Sequence, residues 1–158
     1  MKKYTANESL NNPERLAQLF LQRRSPLLSA EGGRKVLVEL TDLMVRPVFF
    51  LAAFFPKKGS AEKKKVFTED IESVDLMMDQ EQHRFLPVFT AYEAFKGWKP
   101  ELRPGEVMYV LDKQDLLNFL KGNPAVAGVV VNPFQDDLIL DIPTLTNLLM
   151  RSRTETVR

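Results

Sequence analysis

The most constraining stretch of this chain is the apolar run at residues 48–55, Val-Phe-Phe-Leu-Ala-Ala-Phe-Phe, closed by Pro47 and Pro56. Proline cannot donate a ladder hydrogen bond, so it brackets a strand rather than continuing one. Phe49, Phe50, Phe54 and Phe55 favour a strand over a helix. The run shows no polar alternation, so both of its faces must be covered. It is also far shorter than the ~20 residues that span a bilayer. A chain built around such a strand needs a layer on each side.

Helical patterns supply those layers. Asn12-Pro13-Glu14 reads as a helix start, with an Asn cap, proline at the first helical position and an acid at the positive end of the dipole. Leu16, Leu19 and Phe20 follow at helical spacing, and Ser25-Pro26 closes the segment. Gly32-Gly33 breaks the chain. Val36, Leu37, Leu40, Leu43 and Met44 then line one face of a second helix that stops at Arg46-Pro47. Residues 71–78 and 85–89 form a β-hairpin about the polar turn at residues 79–82. Thr90-Ala91-Tyr92-Glu93 has the form of a capping box opening a short helix; on that reading Thr90→Ala costs about 0.5–2 kcal/mol. Residues 107–111 are a strand, Asp112 caps the next helix, and residues 126–131 are a valine-rich strand buried on both sides. Asn132-Pro133-Phe134 turns the chain, residues 138–140 return, and Pro143 opens a terminal helix. Residues from Arg151 onward read as a polar, frayed tail.

The expected fold class is therefore mixed α/β (α+β). A mixed sheet carries helices packed on it, with a βαβαβ segment, a following hairpin and a C-terminal helix. The 158 residues fit a single domain, with its core at about residues 10–150.

The counts exclude more than they assign. There is no cysteine, so disulfides, thiolate chemistry and Cys-ligated zinc or iron–sulfur centres are ruled out. His83, the only histidine, rules out a poly-His metal site within one chain, and no cofactor is expected. The lysine-bearing N-terminus has no apolar stretch behind it, so it is not a secretory signal, and the expected location is cytoplasmic without a membrane partner. Net charge is +1, which argues against general nucleic-acid binding. The charge is unevenly placed: residues 1–65 carry +7 and residues 66–158 carry −6. Such a split offers complementary surfaces for a protein partner or for self-association; the plainer reading is two differently charged, solvated faces. Lys57, Lys58, Lys63, Lys64 and Lys65 surround Gly59-Ser60-Ala61 without the spacing of a phosphate loop, and read as a solvated loop.

Three stretches carry a family resemblance. Leu86-Pro87-Val88-Phe89-Thr90, followed by Ala91-Tyr92-Glu93 and Trp98, is one. Gly128-Val129-Val130-Val131-Asn132-Pro133-Phe134, with Leu138 after it, is the second. The third comprises the Asn12-Pro13 helix and the helix leading to Pro47-Val48. In this order and separation they resemble the N-terminal domain of the SseB family, the proteins named for enhanced serine sensitivity, over residues 10–150. The chain departs from that pattern at Ala91, where a small hydroxyl residue is common, and it lacks the second domain of longer members. The resemblance implies a mixed α/β domain of the bacterial cytoplasm. It brings no reaction with it.

If the strands of the βαβαβ segment are parallel neighbours, their C-terminal ends bring Thr90, Asp112 and Asn132 to one sheet edge. Open α/β sheets bind ligands at such edges, and helix N-termini there suit an anionic group. Taken singly, Thr90 and Asp112 read as helix caps and Asn132 as a turn residue before proline. Trp98 reads as a core anchor, His83 as an exposed turn residue, and Asp136-Asp137 as solvated acids. No nucleophile, base and orienting group can be assembled from these residues. A non-enzymatic interaction or regulatory module is therefore expected. The alternative is a small-molecule or anion site, or an enzyme, at Thr90, Asp112 and Asn132.

Overall fold

A computed structural model of the chain describes residues 1–157. Its strands are β1 (Lys2–Lys3), β2 (Phe50–Pro56), β3 (Ile71–Ser73), β4 (Met77–Met78), β5 (Arg84–Val88), β6 (Val107–Leu111), β7 (Val126–Val131) and β8 (Leu138–Leu140). The α-helices are α1 (Glu14–Arg23), α2 (Ala30–Val45), α3 (Tyr92–Trp98), α4 (Lys113–Gly122) and α5 (Ile142–Val157). The fold is mixed α+β, with helices packed on two four-stranded sheets.

The strand orders are β1-β6-β2-β3 and β4-β5-β7-β8. The succession β5-α3-β6-α4-β7 follows the expected βαβαβ order along the chain. Only β5 and β7 are parallel neighbours, with Leu86 opposite Val129 and Val88 opposite Val131. The middle strand β6 leaves for the other sheet and pairs antiparallel with β2, Ala52 opposite Tyr109. The three strand ends therefore do not share one edge. The sheets meet at a single bridge, where Leu51 and Phe89 exchange backbone hydrogen bonds of 2.7 and 2.9 Å.

β2 is covered on both faces, as its composition requires. Phe50, Ala52 and Phe54 face the main core with Tyr109 and Leu111 of β6, against α1, α2, α4 and α5. Leu51 and Ala53, one residue out of phase, face a smaller cluster with Met108, Phe89 and Phe95. Trp98 packs on that cluster, its ring 5.6 Å from Phe89 and 6.2 Å from Phe95.

Several local expectations are corrected. Gly32-Gly33 lies inside the first turns of α2, because Ser29 caps the helix by accepting the Gly32 N–H at 3.0 Å. The hairpin is reduced to β4 and β5; residues 71–73 pair with β2 instead. α1 begins after Pro13 with no side-chain cap, and α3 begins after Ala91 with none. Thr90 and Asn12 are thus not caps: both are engaged at the seam between the sheets. The five lysines of the 57–65 loop are exposed, as a solvated loop requires, and the loop is pinned at two points, since Ser60 and Lys63 both donate to the buried Asp70 carboxylate at 3.0 and 2.9 Å. Residues 151–157 continue α5 rather than fraying, and Arg158 lies outside the described residues.

Candidate functional site

Thr90 follows the Leu51–Phe89 bridge, and its N–H and hydroxyl bond within its own sheet while its carbonyl reaches toward the other through Asn12. Its N–H donates to Asn132 Oδ1 at 3.0 Å, its hydroxyl accepts from Asn132 Nδ2 at 2.9 Å, and its carbonyl accepts from Asn12 Nδ2 at 3.3 Å. Asn12 also closes on the backbone of Phe49. It donates to the Phe49 carbonyl at 2.8 Å and accepts the Phe49 N–H at 2.7 Å. One side-chain amide thereby does the work of a further residue pair in the ladder, extending the contact between the sheets.

Asn132 is 3% exposed and spends its whole amide. The oxygen takes the Thr90 N–H; the two N–H bonds go to Thr90 Oγ1 and, at 2.9 Å, to Asp136 Oδ2. The buried Asp136 carboxylate receives a two-pronged guanidinium from Arg24, Nε and Nη2 each at 2.7 Å, and Arg23 donates to the Asp136 carbonyl. Such forked, charge-assisted pairs fix geometry as well as energy, and the bond to Asp136 raises the Arg24 pKa further above its ordinary value. The expectation of solvated acids is corrected for Asp136, which is buried in this pair, and holds for Asp137, which is exposed with its Oδ1 accepting the Phe134 N–H at 2.8 Å.

The turn so held is backbone-strained. Asn132, Phe134 and Asp137 have φ of 49°, 68° and 47°, a left-handed conformation that non-glycine residues adopt at a cost. The Asn132 carbonyl accepts from Gln135, Asp136 and Asp137, so the turn is closed on itself. At its tip Phe134 is 77% exposed.

Asp112 lies elsewhere. It follows β6 in the other sheet and caps α4, accepting the Asp115 N–H at 2.8 Å, while Asp115 accepts the Asp112 N–H at 3.0 Å. A hollow of about 390 Å³ adjoins it, with Phe49, Lys64 and Asp115 in its wall. Burial raises the Asp115 pKa, and burial lowers that of the neighbouring Lys113, whose ammonium donates to the Arg46 carbonyl at 2.6 Å. Thr90 borders a different hollow of about 510 Å³, with Tyr4 and Tyr92; burial raises the Tyr4 pKa, with the neighbouring carboxylate of Glu93 adding to it. Residues 8–11 line both hollows and separate them.

Of the three expected site residues, Thr90 and Asn132 are brought together and Asp112 is not. Together they form a joint in which the Asn132 amide is fully engaged, while the partly buried Thr90 hydroxyl accepts one bond from it. Among the described residues no set of three His, Asp or Glu side chains is placed to hold a metal ion, and no helix is long and apolar enough to cross a membrane. His83 is an exposed turn residue, 3.0 Å from Asp79. Sequence reasoning missed Asn12, Arg24 and Phe134. The one available signal was the complementary charge of Arg23-Arg24 and Asp136-Asp137, which local patterns cannot pair across more than a hundred residues. No family model, curated protein or solved structure matches this chain.

Proposed function

We propose that this chain is an SseB-like, non-enzymatic protein-interaction module of the bacterial cytoplasm, and that Phe134 anchors its partner. The observation carrying this reading is a large aromatic side chain, 77% exposed, on a turn held by the buried Asn132–Asp136 pair and the Arg24 guanidinium bound to it. Exposed aromatics on pre-ordered backbone make effective interface anchors, because little freedom is lost on binding. The two stretches that carry the SseB resemblance meet in that network, through Thr90 and Asn132. A small-molecule or anion site at Thr90, Asp112 and Asn132 is the weaker reading. Asn132 is sealed, and the other two border separate hollows.

The test is a photo-crosslinking amino acid, benzoylphenylalanine, placed at Phe134 and, as a matched control, at the half-exposed Phe67. In the native cells, a discrete protein adduct from position 134 and none from position 67 is the expected result. Equal labelling from both positions, or none from 134, overturns the proposal. So does a metabolite that raises the melting temperature by binding beside Thr90.

A further inference from the structure

The outward face of α2 carries a charge order that suits a second copy of itself. Val36, Leu40, Leu43 and Met44 turn inward. Helical spacing then sends Glu31, Arg34, Lys35, Val38 and Asp42 to the opposite side. Val38 stands at the middle of this stripe, 62% exposed, and Leu37 beside it is 50% exposed. A shallow hollow of about 370 Å³ lies along the stripe, lined by those residues and Glu39.

Beyond Glu31, the charges run against the helix's own field. A helix favours acids at its N-terminal end and cations at its C-terminal end. In α2 the cations Arg34 and Lys35 lie in the N-terminal half, Asp42 lies near the C-terminal end, and the last turn has no basic residue. Reversing the direction of a second α2 turns this misfit into a match. About a two-fold axis through Val38, residue 34 of each copy lies opposite residue 42 of the other, so Arg34 meets Asp42 twice. An isologous contact of this kind must be self-complementary, and this stripe is. Arg34 has no ion pair among the described residues. Among the described residues Asp42 holds only the exposed Arg151 at 3.2 Å, and Lys35 reaches Glu31 at 3.6 Å. Exposed pairs of that kind contribute little and are readily shared.

We infer that α2 is a self-association surface, on which two copies pack antiparallel through Val38 with reciprocal Arg34–Asp42 pairs. One helix on one helix lies at the small end of stable interfaces, so the dimer is a weak, concentration-dependent one. This inference is independent of any partner at Phe134.

Sedimentation velocity tests it on the full chain, from about 10 to about 500 µM, the range suited to a contact of this size. The wild type is expected to pass from monomer to dimer. Arg34→Asp and Asp42→Arg should each weaken association at least about tenfold through like-charge contacts. Both substitutions suit the dipole of the isolated helix, and Asp42→Arg gives up only the exposed Arg151 pair, so the folded monomer should change stability little. An equimolar mixture of the two variants should recover a heterodimer, because one chain then presents acids at 34 and 42 and the other presents arginines. A wild type that stays monomeric overturns the inference, whatever else binds this face. So do single variants that associate like wild type, or a mixture that stays monomeric.

Discussion

At Asn132 a left-handed backbone, a 3% exposed side chain and a fully spent amide coincide. Asn132→Ala removes the amide, leaves Thr90 and Asp136 short of a partner, and keeps an alanine at positive φ. We expect it to lose about 2–4 kcal/mol in urea denaturation. Thr90→Ala gives up one neutral hydrogen bond and should lose about 0.5–1.5 kcal/mol. That range overlaps what a helix cap would cost, so the pair must be separated by a double-mutant cycle. Bonding to Asn132 predicts that Thr90→Ala costs little once Asn132 is alanine; a cost independent of residue 132 would restore the capping account. Asp70 is a second residue whose role can be read by titration. The Phe67 N–H and then the Lys63 ammonium hold its pKa down at about 2. A carboxylate with a depressed folded pKa contributes stability that is complete above its unfolded value and fades as pH falls toward the folded one. Unfolding midpoints should therefore drop between about pH 4 and about pH 2, and Asp70→Asn should flatten that slope while lowering the midpoint at neutral pH. An identical slope in the variant would remove Asp70 from the account.

Among the elements, two glycines separate open space from close packing. At Gly97 in α3 a methyl group would stand with nothing within 4 Å of it, on an ordinary backbone, so Gly97→Ala should stabilise by about 0.5–1 kcal/mol through helix propensity. Gly128 in β7 would place its Cβ 3.1 Å from the Leu140 carbonyl of β8. Gly128→Ala should cost about 1–3 kcal/mol as the strand pair shifts. Thermal melts of the two variants should move in opposite directions; a shared direction would contradict the β7–β8 packing. The elements themselves were largely legible in the sequence. The proline-bracketed run is β2, the valine run is β7, and the Asp112 box caps α4. What local pattern could not convey was partnership. β6 has the apolar character of a strand in either sheet. Its choice of β2 rests on contacts from residues more than fifty positions away, among them the stacking of Tyr109 on Phe54 at 4.2 Å. The same blindness explains Thr90. Its box with Glu93 is good local grammar, overruled by an asparagine 42 residues on.

Over the whole molecule, the two parts of the chain that differ in charge interleave in the fold. β6, from the acidic part, lies between β1 and β2 of the basic part. Arg24 with Asp136, Lys63 with Asp70 and Arg151 with Asp42 tie the two parts together in space. The surfaces proposed for association are correspondingly local ones: the α2 stripe and the Phe134 turn. The candidate site was legible in part, since Thr90 and Asn132 do converge, while Asp112 follows β6 into the other sheet. Its outward-facing consequence, Phe134, was hidden because exposure is a property of the folded turn. The central claim is that the Thr90–Asn132 joint is structural and that Phe134 is the part offered to a partner. Phe134→Ser, followed by both urea stability and the adduct formed by a crosslinker at neighbouring Gln135, tests it most directly. The account predicts stability within about 0.5 kcal/mol of wild type together with loss of the adduct. A large loss of stability, or an adduct that persists undiminished, would contradict it.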